Sequence, residues 1–181
     1  MRKVILFIAM SLDGYIAGRA GNVDWLEGQE PDKDDMESYQ EFIKGIDTVV
    51  IGWNTYEQIV TELSPEEWIY QDLNSYVVTH RDLPDTEAVK FVNDDVCRIV
   101  AGLKQEEGKD IWICGGAAII RPLLREKLID RLHISVIPTI LGGGIRLFGA
   151  EDAEMKLRLV KTQSYNGITD LIYEWREKGG R

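Results

Sequence analysis

The chain has 181 residues, enough for one well-buried domain and short for two, and its 44% hydrophobic and 29% charged residues are an ordinary globular mix. The formal charge of -10 argues against a nucleic acid or an anionic membrane as partner, because both are bound through clustered Lys and Arg. Cys97 and Cys114 stand far apart without metal-ligand spacing, so neither a disulfide framework nor a metal site is indicated.

Met1-Arg2-Lys3 precedes the apolar run Val4 to Met10, the order of charge and apolar residues found in a secretory leader. The run passes into Ser11-Leu12-Asp13-Gly14 without a small-x-small cleavage pattern, and its length suits a buried strand. It is read as the first strand of a cytoplasmic protein. Further strands are expected at Asp47 to Ile51, Ser75 to Thr79, Asp110 to Cys114 and Leu128 to Ile137. Helical spacing of apolar residues marks Asp34 to Lys44, Thr55 to Glu62, Asp94 to Glu107 and Ala117 to Lys127. The alternation predicts a mostly parallel sheet flanked by helices. After Pro138, Met155 to Thr162 and Ile168 to Arg176 read as two strands joined at Tyr165-Asn166-Gly167, an antiparallel hairpin added at the sheet edge. The acidic stretches Gln29 to Glu37 and Glu62 to Asp72 are read as solvated faces and loops. No apolar run approaches the roughly 20 residues that span a bilayer. Without repeat, linker or low-complexity tract, residues 1–181 form a single domain, with a polar, Gly-rich tail from Glu177.

The run Ile111-Trp112-Ile113-Cys114 breaks at Gly115-Gly116 and resumes as a helix at Ala117. A strand that ends in glycines and enters a helix aims backbone N–H groups and the positive helix end at one point, which suits a phosphate. Glycines there also serve tight turns and close packing. Other strand ends invite the same reading: Gly52-Trp53-Asn54-Thr55, Thr79-His80-Arg81 and Ser11-Leu12-Asp13-Gly14. In a parallel sheet the carboxyl ends of the strands open to one edge, so these loops can converge on one crevice. Thr55 can cap its own helix or donate to a pyrophosphate oxygen. Arg81 can grip a phosphate monoester or lie exposed in a turn.

The ordered segments Ser11-Leu12-Asp13-Gly14-Tyr15-Ile16-Ala17, Asp24-Trp25-Leu26, Ile51-Gly52-Trp53-Asn54-Thr55-Tyr56-Glu57, Cys114-Gly115-Gly116-Ala117 and Pro138-Thr139-Ile140-Leu141-Gly142-Gly143-Gly144-Ile145-Arg146-Leu147-Phe148 resemble the motifs of the dihydrofolate reductase-like superfamily. The closer resemblance is to its branch containing the C-terminal reductase domain of riboflavin biosynthesis. The resemblance implies a three-layer α/β/α fold with a mixed sheet, NADPH as hydride donor, and reduction of a C=N or carbonyl group on a small pyrimidine- or pterin-like heterocycle, phosphoribosylaminouracil among them. It places Gly115, Gly116 and Ala117 on the cofactor pyrophosphate and Gly52, Asn54 and Thr55 in a second phosphate loop. Thr79, His80 and Arg81 fall at the adenosine end with its 2'-phosphate. Ala9, Ile16 and Ala17 would border the nicotinamide. Trp53 departs from the basic residue usual in dihydrofolate reductases and shifts the 2'-phosphate to Arg81.

For the proton, Asp35 stands four residues before Tyr39, so one helical face can present both to the crevice; acidic residues in a first turn are also favoured by the helix dipole alone. Asp13 is the competing acid, and Asp before Gly often only braces its own turn. Water can deliver the proton instead. Tyr15, Trp25 and Tyr39 are expected to shape the substrate pocket. Arg146, after the glycine run, can bind an acidic or phosphorylated group or pair with an acid. His133 is expected to be a packed or interface histidine rather than a catalytic one. The alternatives are a dihydrofolate reductase proper and a non-catalytic pyridine-nucleotide-binding module. The apolar hairpin residues Leu157, Leu159, Leu171, Ile172 and Trp175 predict a homodimer.

Overall fold

A computed structural model describes residues 1–149 and 153–176. The tail from Glu177 lies outside the described residues. The strands are β1 Val4–Ser11, β2 Tyr15–Ala17, β3 Ile46–Gly52, β4 Asn74–Val78, β5 Val89–Val92, β6 Asp110–Gly115, β7 Arg131–Ile137, β8 Ile145–Arg146, β9 Leu157–Tyr165 and β10 Ile168–Trp175. The helices are α1 Glu37–Ile43, α2 Trp53–Gln58, α3 Val96–Leu103 and α4 Ala117–Arg125, with a π-helical turn Ile59–Leu63 continuing α2.

Eight strands form one sheet in the order β5-β4-β3-β6-β1-β7-β10-β9. All pairs from β5 to β7 are parallel, and β10 pairs antiparallel with both β7 and β9. The hairpin closes one edge, as its apolar alternation predicts. Its turn places Asn166 and Gly167 at φ 45° and 77°, the left-handed conformations that Asn-Gly adopts most cheaply.

The uniformly apolar central strands follow from burial on both faces. Val49, Val50 and Ile51 of β3 are all 0% exposed. On one face Leu6 and Ile113 pack beneath Val100 of α3 and Leu123 of α4. On the other, Ile5, Val49 and Trp112 pack with Phe7 and with Tyr39 and Phe42 of α1. The result is the three-layer arrangement of helices about a mixed sheet. Arg2, the residue that lent the start its leader-like charge, is buried at 6% exposure and donates to Thr48 and to the Lys109 carbonyl, 2.6 Å each.

Several boundaries differ from expectation for local reasons. The helix predicted from Asp34 begins only at Glu37, because the Asp34 carboxylate accepts the Met36 N–H at 2.9 Å and offers the backbone a turn instead. The helix predicted from Asp94 begins at Val96, where Asp95 caps it by accepting from the N–H groups of Cys97 and Arg98. The helix predicted from Thr55 starts earlier, at Trp53, straight out of Gly52. The edge strand β5 and the small ribbon of β2 with β8 are too short for periodicity to reveal.

Candidate functional site

The carboxyl ends of β1, β3, β4 and β6 open on one cleft of about 1330 Å³. Its floor is backbone. Gly52 at the end of β3 and Gly116 after β6 lie so close that a Cβ on Gly52 would stand 3.4 Å from the Gly116 nitrogen and 3.5 Å from the Gly115 oxygen. Gly115 has φ +125°, a conformation that side chains rarely tolerate. A Cβ on Gly116 would meet the Thr55 hydroxyl at 3.4 Å. Gly116 in turn opens α4 in extended conformation, so the positive end of that helix faces the cleft. Thr55 is in the first turn of a helix that no side chain caps, and its hydroxyl faces the glycines rather than its own helix start.

One end of the cleft carries Arg81 and His80. The Arg81 guanidinium stacks on Trp53, 4.5 Å from the ring centre, and its backbone N–H donates to Thr79 Oγ1 at 3.1 Å. His80 Nδ1 is 3.3 Å from Asn93 Oδ1. The Trp53 indole nitrogen is buried without a hydrogen-bond partner among the described residues, a donor that a ligand in the cleft can satisfy. Trp53 thus supports the arginine from below instead of replacing it.

Ala9, Ile16, Ala17, Gly52, Asn54, Thr55, Thr79, His80, Arg81, Gly115, Gly116 and Ala117 all line this cleft. The residues expected on the substrate and proton side do not. Asp35, in the loop before α1, accepts from the Asn166 amide at 2.8 and 3.0 Å and so ties α1 to the hairpin turn. Asp13 accepts the Ser11 hydroxyl at 2.6 Å and the N–H groups of Leu141 and Gly142 at 3.0 and 2.8 Å. The Ser11 bond, aided by the two amides and opposed by partial desolvation, holds its carboxyl down at about 2. Arg146 is 4.8 Å from the centre of the Tyr15 ring, on the ribbon of β2 and β8, and is not among the residues that line the cleft. Trp25 is 8% exposed among Ile137 and Ile168. Tyr39 packs on Phe7 and Trp112 at ring distances of 6.1 and 5.9 Å. The glycine run is not slack: a Cβ on Gly143 would collide with Arg19 and one on Gly144 with the Ala17 carbonyl.

Other residues supply the remaining wall: Val23 and Leu26 after β2, Ile59 and Leu63 on the π turn, and Ile69 and Tyr70. The last three lie in or beside the stretch Glu62 to Asp72, expected to be solvated. Its apolar members, Leu63, Trp68, Ile69 and Tyr70, carried the contrary signal. Tyr70 stands 3.9 Å from Cys114 Sγ, and burial pushes that thiol up to about 12, so it stays protonated and unreactive near neutrality.

A buried carboxylate also escaped the sequence reading. Ala9, Ser135, Asp170 and Gln163 are register partners across β1, β7, β10 and β9. Asp170 is 0% exposed and accepts from Ser38 at 2.5 Å, Ser135 at 2.7 Å, Gln163 at 2.9 Å and Tyr165 at 3.0 Å. His133, packed against Phe7, places Nε2 3.1 Å from the carboxylate, in electrostatic contact without hydrogen-bond alignment. Burial raises the affinity of such a carboxyl for its proton, but the contact with His133 and the donors Ser135, Ser38 and Gln163 outweigh it and hold Asp170 below the ordinary carboxylate range. Among the described residues no group of three or more His, Cys, Asp or Glu could hold a metal ion, and no helix is long and apolar enough to cross a membrane.

Residues 2–170 match the family described as RibD C-terminal domain. The chain is 41% identical over 175 residues to the protein YwjB of Bacillus subtilis strain 168, covering 95% of this chain and 97% of that protein. Among solved structures it is similar to a protein of Shewanella sp. PV-4 named for riboflavin biosynthesis, with 28% identity, TM-score 0.82 and coverage of 97% and 99% of the two chains. The diaminohydroxyphosphoribosylaminopyrimidine deaminase/5-amino-6-(5-phosphoribosylamino)uracil reductase of Thermotoga maritima shares the fold at 14% identity and TM-score 0.71, over 97% of this chain and 57% of that one.

Proposed function

This chain belongs to the RibD C-terminal domain family, whose fold is dihydrofolate reductase-like, and from that premise we propose that it is an NADPH-dependent reductase of a small heterocyclic or carbonyl substrate. What supports the reading most is that strand ends far apart in the sequence build one cleft whose floor is two glycine backbones in contact. Such a floor admits a pyrophosphate where side chains would fill the space.

The chain's own groups divide the work. Backbone N–H groups of Gly116 and Ala117, at the positive end of α4, and the Thr55 hydroxyl would hold the pyrophosphate. Arg81, stacked on Trp53, takes the 2'-phosphate, and the unpartnered Trp53 N–H offers a further donor at that end. Ala9, Ile16 and Ala17, which line the same cleft, would border the nicotinamide. When bound, NADPH supplies a hydride to the electrophilic carbon of a C=N or C=O group, while the matching proton passes to its nitrogen or oxygen. Asp13 and Asp35 are both engaged elsewhere, so we assign the proton to water reaching the cleft. The same engagement of Asp35 disfavours a dihydrofolate reductase proper.

Titration with NADPH, followed by energy transfer from tryptophan, tests the proposal directly, since Trp53 lies in the cleft wall. Saturable transfer is expected. Failure to bind either NADPH or NADH overturns the reading.

A further inference from the structure

Among the described residues Arg81 is the one Lys or Arg that lines the cleft, with Asp94 and Asp95 also in the lining, and its guanidinium lies over Trp53. From there a row of rings leads away through Tyr56 and Trp68 to Tyr70, with successive centroids 5.5, 5.5 and 5.3 Å apart. At the Tyr70 end the wall is Leu26, Leu63 and Ile69, which are 44%, 56% and 47% exposed. Large apolar side chains bared around one mouth are what an apolar ligand covers.

The side chains of charged type on α2 and the π turn that line the cleft are acids, Glu57 and Glu62. Gln58 donates to the Gly21 carbonyl at 3.0 Å and to Glu62 at 3.4 Å, so Glu62 stands where the π turn meets the loop after β2. The arginines that adjoin lining residues Ala20 and Ile145 are turned elsewhere: Arg19 donates to the Gly142 carbonyl at 3.3 Å and Arg146 lies on Tyr15. Among the described residues no Lys or Arg lines this part of the cleft. A phosphate monoester carries between one and two negative charges near neutrality and needs cationic or N–H donors when it leaves water. Here it would meet leucine, isoleucine and a carboxylate.

We propose that this wall selects an uncharged, largely apolar ring or carbonyl compound and rejects phosphorylated substrates, unlike the phosphoribosyl compound in the name of the Thermotoga reductase. The inference rests on the reductase reading and narrows its substrate class.

Riboflavin and flavin mononucleotide, which differ by one phosphate, are the probes, and quenching of flavin fluorescence by the protein saturated with NADP+ is the readout. Riboflavin is expected to bind more tightly by about tenfold, a repulsion of modest size. Glu62→Lys is expected to bring the two affinities together by strengthening the mononucleotide. Equal or tighter binding of the mononucleotide to the unaltered protein overturns the inference, as does no binding of riboflavin. NADPH binding is measured first and separately: its failure removes the reductase reading, whereas its success followed by a preference for the phosphorylated flavin removes only the substrate class.

Discussion

The Ser135 hydroxyl donates to the Asp170 carboxylate at 2.7 Å, and on its other side Ser135 is the register partner of Ala9 at the cleft. A wholly buried anion is therefore anchored two strands away from the proposed nicotinamide position. Removing it leaves Ser38, Ser135, Gln163 and Tyr165 without their common acceptor. Asp170→Ala is expected to cost about 3–5 kcal/mol in urea denaturation, with Asp170→Asn milder. A loss below about 1 kcal/mol would show the network to be dispensable. Because the folded carboxyl titrates below its unfolded value, the stability it contributes is complete above about pH 4 and drains away as pH falls. Asp170→Asn should accordingly flatten the acid limb of the stability curve.

Asp13 governs a loop. Its carboxylate holds the N–H groups of Leu141 and Gly142 and titrates near 2 against an ordinary value of 3.8. Its stabilising contribution is thus fully present above pH 4 and lost between 3.8 and about 2. Asp13→Ala should speed hydrogen exchange at the Leu141 and Gly142 amides while leaving the amides of β3 protected. Unchanged exchange would mean that the loop is held by other bonds.

Cofactor discrimination should reside in Arg81. Arg81→Ala is expected to weaken NADPH by roughly tenfold while sparing NADH, as loss of a charge-assisted phosphate contact does. Parallel tryptophan-transfer titrations with the two cofactors measure this. Equal losses for both would place the 2'-phosphate elsewhere.

At Gly115 any side chain must adopt φ +125°. Gly115→Ala is expected to lower stability by about 1–3 kcal/mol and to impair NADPH binding beyond that loss. Thermal unfolding with and without NADPH separates the two effects.

The outer edge of β9 is the last prediction. β9 pairs only with β10 in the sheet order, and Leu159 and Val160 are 50% and 40% exposed. Leu171, Ile172 and Trp175 are half-buried, and the Trp175 indole donates to the Ile129 carbonyl at 2.6 Å, so the apolar surface is narrower than the sequence pattern suggests. A homodimer through this edge is expected in light scattering at micromolar concentration, with Leu159→Glu shifting it to monomer. A monomeric wild type contradicts it.

The half of the cleft built from strand ends was legible because backbone forms it: Gly52 and Gly115-Gly116 stand at the ends of apolar runs, and parallel topology brings such ends together. The opposite half depends on which loop residues fold inward. Ile69 and Tyr70 sit in an acidic stretch whose charges mask them, and Asp35 lost its expected helical face when Asp34 claimed the Met36 amide. Asp170 reads as an ordinary polar residue in a strand, since its partners Ser38, Ser135 and Gln163 come from three other elements.

Because a Cβ added to Gly52 would already rest on the Gly116 nitrogen, and one on Gly116 on the Thr55 hydroxyl, a substitution at the base of the cleft is felt by the neighbouring strand end as well. The opposite wall consists of separate side chains on separate loops, each replaceable alone. New specificities should therefore arise by exchanging Leu26, Leu63 or Ile69, leaving the glycine floor intact.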